Sequence, residues 1–155
     1  MPKPQYDLQV HRPNVLVSDM DRALRIYRDI LGFKVNFLLD ALDVATDMFG
    51  LPPDTKMRMA FLSEGKGTFG SLAISEARGI VIPKREPPFQ ACVIIELKEG
   101  RLPAVVEQLR AEGCEMGKAF ELEQPTRTDI AFTDPFGNRV VIFEIHPRKK
   151  DAPGE

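Results

Sequence analysis

The chain has 155 residues, of which 43% are hydrophobic and 28% are charged. This composition is typical of one ordinary globular domain. The formal net charge of −2, without a long run of Lys and Arg, argues against a nucleic-acid partner. No apolar run has the length of a membrane span, so we predict no membrane partner. Cys92 and Cys114 are isolated in the sequence, and a core-forming chain does not need to join them in a disulfide, so we expect a protein of the reducing cytoplasm.

The first half of the chain predicts a strand, a helix and three further strands. The helix has apolar residues at helical spacing, Ser18 or Asp19 as its N-cap, and Gly32 at its end. An insertion with a short helical piece is expected at residues 40–54. The four strands are predicted at residues 12–18, 33–39, 57–62 and 71–75.

The second half repeats this order after a proline-rich connector. Its helix begins near Leu102 and ends before Gly113, and its strands are predicted at residues 90–96, 115–122, 129–133 and 139–145. The repeat predicts an α+β fold in which two tandem βαβββ modules form curved sheets around a concave cavity. We expect one domain over residues 9–146, with halves at about 9–78 and 88–146, and a disordered tail at 147–155.

Two stretches of the sequence resemble a known superfamily. Residues 15–33, VLVSDMDRALRIYRDILGF, are similar to the opening strand and helix of the vicinal oxygen chelate superfamily, which contains glyoxalases, bleomycin resistance proteins and dioxygenases. Residues 132–144, FTDPFGNRVVIFE, are similar to its closing hairpin. In that hairpin, proline presets the turn and glycine takes the strained position before the last strand. The resemblance covers about residues 9–146 and implies the fold of the superfamily.

The resemblance also implies where a catalytic metal would be held. Enzymes of the superfamily place His, Glu or Gln side chains on the first and last strands of each half. The matching positions in this chain hold Arg12, Ala73, Gln90 and Val141. Because only the glutamine offers a ligand atom, we predict no metal site and no other cofactor. His11 would reach the cavity only through a β-bulge, and Glu144 and His146 are expected to face away from it.

Strand alternation indicates which side chains line the cavity. They combine apolar walls with a few polar groups, which is typical of a pocket for a small, partly apolar organic molecule. The predicted ligand-binding residues are Arg12, Asn14, Gln90, Glu96, Arg139, Val141 and Phe143. Arg12 would bind an anionic group of the ligand. Alternatively, it forms a salt bridge with Glu96 or another acidic neighbour, or is a solvated residue at the start of the strand. Asn14 and Gln90 would either orient the ligand or satisfy the ends of the strands.

Two main classes of function fit such a cavity. The first is a metal-free binding module that sequesters the molecule, as bleomycin resistance relatives do. The alternative is an enzyme of the lyase, isomerase or dioxygenase type with a non-standard or absent metal site, in which Glu96 is a candidate general base. A structural or regulatory subunit is a third possibility. The resemblance implies a homodimer, and the exposed edges of two open sheets favour such pairing.

Overall fold

The computed structural model, which describes residues 7–40, 43–65, 70–123 and 126–147, contains two open, four-stranded sheets. The strands of the first sheet are β1 (Asn14–Val17), β2 (Lys34–Asp40), β3 (Lys56–Ser63) and β4 (Leu72–Arg78), and those of the second are β5 (Val93–Leu97), β6 (Glu115–Glu123), β7 (Thr126–Thr133) and β8 (Arg139–Ile145). The spatial orders are β1-β4-β3-β2 and β5-β8-β7-β6. In each sheet the first and last strands pair in parallel and the other pairs are antiparallel. The predicted α+β class with two βαβββ modules is confirmed.

Helical segments connect the strands. The helices are α1 (Met20–Leu24), α2 (Asp43–Met48) and α3 (Leu102–Ala111). Asp19 caps α1 as predicted, because its carboxylate accepts a hydrogen bond from the backbone N–H of Arg22 at 3.0 Å. The continuation Arg25–Ile30 is a π-helix where the sequence predicts an unbroken α-helix. Its wider turn is seen in the bond from Leu31 N–H to the carbonyl of Ile26 at 2.9 Å. Within the described residues, no helix has the length and apolarity needed to cross a membrane.

The two sheets share one hydrophobic core with α1, the π-helical segment and α3. Fully buried members of this core include Val17, Met20, Ile26, Leu62, Ile74, Leu109, Phe132, Val140 and Ile142. Because side chains alternate along a strand, each sheet turns one face to this core and the opposite face away from it. The two outward faces are the places where the chain can offer a cavity. The predicted tail lies outside the described residues from position 148 onward.

A buried glutamate recurs at equivalent positions of the two halves. Glu76 on β4 accepts a hydrogen bond from the backbone N–H of Met20 at the start of α1. Glu144 on β8 accepts one from the backbone N–H of Gly100, just before α3. Each carboxylate accepts from a backbone donor at a helix N-terminus, where the first N–H groups have no partner within the helix. The prediction that Glu144 faces away from the outward face of its sheet is therefore confirmed, and the pair shows which positions of the two halves correspond.

Candidate functional site

Each sheet has its own outward face, which we call a hollow. The first hollow carries Arg12, Asn14, Leu16, Met59, Phe61, Ser71, Ala73 and Ser75. The second hollow carries Ile94, Glu96, Phe120, Asp129, Ala131, Arg139, Val141 and Phe143. Among the described residues, no hydrogen bond, ion pair or ring contact joins the side chains of one hollow to those of the other. A single chain therefore separates the predicted ligand-binding residues into two groups.

The insertion between β2 and β3 covers part of the first hollow. Phe49 and Leu51, which follow α2, pack against a nearly buried cluster on this face that consists of Met57, Met59, Phe61 and Ala77. The side-chain amide of Asn14 donates to Sδ of Met48 at 3.3 Å and accepts from Oγ of Ser75 at 2.9 Å. Asn14 thus bonds to Ser75 of its own sheet and to Met48 of the insertion, which agrees with the structural alternative considered for it.

Arg12 lies at the rim of the first hollow. Its guanidinium carbon is 4.4 Å from the centre of the Phe61 ring, and its Nη1 contacts Nδ1 of His11. Its Nε is buried without a hydrogen-bond partner. No ion pair within the described part of the chain links Arg12 to Glu96 or to another acidic residue. The salt bridge considered as an alternative role for Arg12 is therefore not observed.

The second hollow is open, and its side chains form rows across the sheet. The strand register aligns Glu96 with Phe143, Phe143 with Asp129, and Asp129 with Phe120. Adjacent strands lie about 4.8 Å apart. The row therefore places the Phe143 ring between the carboxylates of Glu96 and Asp129. Phe120 is 59% exposed. Ile94, Val141 and Ala131 form the next row and provide the apolar part of the surface.

An ion pair in the second hollow was missed by the sequence analysis. Nε of Arg127 lies 2.9 Å from Oδ1 of Asp129, and its guanidinium carbon lies 5.0 Å from the centre of the Phe143 ring. The sequence predicts that β7 begins at residue 129, whereas in the structure it begins at Thr126. The alternation of Arg127, Asp129 and Ala131 is the signal that would have identified this charged pair.

Arg139 lies at one end of the second hollow. Its Nη1 donates to Oγ1 of Thr133 at 3.0 Å, and its guanidinium carbon is 5.1 Å from the centre of the Phe89 ring. The strand prediction is wrong for Gln90, because β5 begins only at Val93. Gln90 lies in a bend of the connector and is exposed, and its Oε1 accepts a hydrogen bond from Nη1 of Arg85 at 3.4 Å.

The positions that would hold a metal in this fold do not fit a divalent cation. The parallel register pairs Asn14 with Ala73 in the first half and Ile94 with Val141 in the second. Position 12 therefore corresponds to Cys92 and not to Gln90. The four positions then hold Arg12, Ala73, Cys92 and Val141, which offer one thiol and no imidazole or carboxylate. Within the described residues, no group of three or more His, Cys, Asp or Glu could hold a metal ion.

A cleft of about 670 Å³ lies between the two halves of the chain. One wall is β5, which is an edge strand of its sheet. The other wall includes Pro13, Phe33 and Ser71 from the first half. Ile94 and Glu96 line this cleft and also belong to the second hollow. A molecule can therefore reach Glu96, one of the predicted site residues, from the cleft and from the second hollow.

Two titratable groups of the core are protonated at neutral pH. The carboxylate of Asp134 accepts hydrogen bonds from the hydroxyl of Tyr27 at 2.8 Å and from the backbone N–H groups of Phe136 and Asn138 at 2.9 and 2.8 Å. Burial, reinforced by this carboxylate, raises the pKa of Tyr27 well above its ordinary value. Burial raises the pKa of Cys114 to about 12. Neither group is therefore a nucleophile or general base at neutral pH.

Comparisons with known proteins agree with this architecture. Residues 9–142 match the model of the Glyoxalase/Bleomycin resistance protein/Dioxygenase superfamily. A glyoxalase family protein from Bacillus cereus is 14% identical, with a TM-score of 0.66, and the match covers 95% of this chain and 100% of that chain. A glyoxylase/bleomycin resistance protein/dioxygenase domain from Frankia sp. is 18% identical, with a TM-score of 0.59, and the match covers 90% and 98% of the two chains.

A third similar structure contains a metal. It is a mutant of the fosfomycin resistance protein FosX from Listeria monocytogenes, complexed with Mn(II) and 1S,2S-dihydroxypropylphosphonic acid. It is 12% identical, with a TM-score of 0.54, and the match covers 86% of this chain and 87% of that chain. No curated protein matches the sequence significantly. From its two βαβββ modules and the match over residues 9–142, the chain belongs to the Glyoxalase/Bleomycin resistance protein/Dioxygenase superfamily, the vicinal oxygen chelate fold that its two terminal motifs predicted.

Proposed function

We propose that this protein binds a small, partly apolar organic molecule in the second hollow and sequesters it without a bound metal or other cofactor. The observation that carries the proposal is the open cross-strand row around Phe143, in which apolar and charged side chains alternate. Such a surface can bury the apolar part of a ligand and fix its orientation through a few polar groups. The first hollow is less suited to this role because Phe49 and Leu51 of the insertion already pack against part of it.

Each predicted residue of the second hollow has a distinct role in this proposal. Phe143 and Val141 supply apolar contact area, since both are partly exposed on the outward face of β8. Glu96 is exposed and has no ion-pair partner in the part of the chain that the structure describes, so its carboxylate is available to a polar group of the ligand. Arg139 is held by Thr133 and Phe89 and limits the hollow at one end.

A ligand screen tests this proposal. We expect at least one compound from a panel of partly apolar metabolites and antibiotics to raise the Tm by about 5–10 °C when its concentration reaches about 100 Kd. The same panel is applied to Phe143→Ala, which should lose the shift while it remains folded. If no compound stabilises the wild-type protein, or if Phe143→Ala responds equally, the proposal is wrong.

The alternative function is an enzyme in which Glu96 is the general base. The observation that favours it is that Glu96 reaches both the cleft and the second hollow, where a substrate would be accessible to it. Incubating each stabilising compound with the protein and analysing the mixture by mass spectrometry decides between the two functions. Conversion that is lost in Glu96→Gln supports the enzyme, and unchanged compound supports sequestration.

We also propose that the protein is a homodimer in which the first hollow of one copy faces the second hollow of the other. This arrangement would bring Arg12 and Phe143 to the same site, although one chain keeps their hollows apart. It would also cover apolar residues that the single chain exposes on β2, β5, β6 and β8, namely Phe37, Leu39, Ile94, Phe120, Leu122 and Ile145.

Light scattering at micromolar concentration should therefore give twice the chain mass of 17.4 kDa. Leu122→Glu is expected to shift the population toward the single chain, because it places a charge on an apolar surface that would be covered. Val81→Glu is the matched control, since Val81 is 90% exposed on the connector. A wild-type protein that remains at 17.4 kDa would contradict the dimer.

A further inference from the structure

We infer that Arg12 and Ser71 form a subsite for an anionic oxygen group, a carboxylate or a phosphoryl group, at the rim of the first hollow. The inference builds on the proposed function, because it assigns the charged end of the bound molecule. The parallel register pairs Asn14 with Ala73, and the backbone N–H of Ala73 donates to the carbonyl of Pro13 at 3.0 Å. Arg12 and Ser71 lie just before β1 and β4, and the same register continued by two residues would place them side by side on one face.

Both residues carry a buried polar atom that has no hydrogen-bond partner. These atoms are Nε of Arg12 and Oγ of Ser71. A buried donor without an acceptor is costly and uncommon in folded proteins, and here two of them lie just before the adjacent strands β1 and β4. One ligand oxygen placed between them would satisfy both. Because a guanidinium group only donates and always carries a positive charge, the partner that matches it is an anionic oxygen.

The surrounding structure holds both side chains in place. The guanidinium group of Arg12 lies against the Phe61 ring at 4.4 Å. Ser71 is fixed through its backbone, whose N–H donates to the carbonyl of Leu62 at 2.8 Å. Gly70 permits this approach, since its φ is +78° and a Cβ on it would lie 1.9 Å from the Leu62 carbonyl oxygen. The ring and the backbone that support the two groups are therefore already in place before an anion binds.

The cleft reaches this subsite from the side of Ser71. Pro13 and Ser71 line the cleft together with residues of β5. The same cleft also contains Glu64, Glu96, Lys98 and Arg101, so its charges are mixed and do not by themselves attract an anion. Specificity for the anion must then come from the direct bonds to Arg12 and Ser71. A molecule with an anionic end and an apolar body would place its anionic end at Arg12 and Ser71 and its apolar body along the cleft against β5.

Titrations with inorganic phosphate and with benzoate, followed by ¹H–¹⁵N NMR, test the subsite and distinguish a phosphoryl from a carboxylate ligand. We expect saturable shifts at the amides of Gly70 and Ser71 and at Nε of Arg12 with at least one of the two anions. Ser71→Ala should weaken binding about threefold to tenfold, and Arg12→Met by more than about tenfold. Arg12→Lys should recover part of the loss, because it keeps the charge without the fork of donors.

Arg110→Met is the matched control, since Arg110 is exposed and is paired with Glu107 on α3. It should bind both anions as tightly as the wild-type protein does. The inference is overturned if neither anion gives saturable shifts, or if Ser71→Ala and Arg12→Lys, with intact spectra, bind as tightly as the wild type. Anion binding without any stabilising compound from the ligand panel would instead reject only the proposed function.

Discussion

Asp134→Ala is expected to lower the free energy of unfolding by about 3–4 kcal/mol. The carboxylate is 1% exposed and accepts hydrogen bonds from Tyr27, Phe136 and Asn138. Its removal leaves the buried hydroxyl of Tyr27 and the backbone donors of the turn without an acceptor. The loss should be large because this turn joins β7 and β8 to the π-helical segment. Urea unfolding followed by circular dichroism measures it.

A second variant measures how much one hydrogen bond contributes to this loss of stability, and a third serves as a control. Tyr27→Phe removes one hydrogen bond together with its donor, so it should cost only about 1 kcal/mol. Asp29→Ala, at a half-exposed position paired only with the neighbouring Arg28, should change the free energy of unfolding by less than about 0.5 kcal/mol. If Asp134→Ala costs no more than Tyr27→Phe, the turn is not the structural junction described above.

Phe143→Ala is expected to weaken binding of the organic ligand by about 2–3 kcal/mol. Phe143 lies between Glu96 and Asp129 in the row of the second hollow, and Arg127 lies over its ring. Truncation of Phe143 would remove the central apolar contact with the ligand. It would also remove the ring against which Arg127 of the Arg127–Asp129 ion pair packs. Phe143→Leu should weaken binding by less than half as much as Phe143→Ala does, because leucine keeps much of the apolar area.

The matched control is Phe120→Ala in the same row. Because Phe120 is 59% exposed at the outer strand, its truncation should cost less than about 1 kcal/mol. Titration calorimetry with the stabilising compound measures all three variants, and their melting curves check the fold. Equal losses for Phe143→Ala and Phe120→Ala would show that the ligand does not centre on Phe143.

Much of the fold could be predicted from local patterns. The alternation of Val140, Val141 and Ile142 identifies the two faces of β8, and the spacing of apolar residues identifies α3, because both periodicities are properties of a short segment. The internal repeat then predicts that each half forms its own curved sheet with a helix on one face. The start of β5 was predicted less well, since the apolar residues 91 and 92 follow the same pattern as the strand although they belong to the connector.

The candidate site depends on contacts that no local pattern contains. Alternation indicates that Arg12 and Val141 lie on outward faces, but it does not indicate that the two sheets present separate hollows. The partial covering of the first hollow depends on where Phe49 and Leu51 pack, which is decided by tertiary contacts. The unpartnered atoms of Arg12 and Ser71 are likewise visible only when the strand register and the surrounding packing are known.

The central claim is that side chains, and not a metal ion, provide the polar part of this binding site. Elemental analysis of the purified protein tests it most directly, after incubation with Zn, Ni, Fe and Mn salts in turn and desalting without chelator. With Arg12, Ala73, Cys92 and Val141 at the four metal-ligand positions, we expect well below one equivalent of each metal per chain. Retention of about one equivalent of any of these metals would contradict the account.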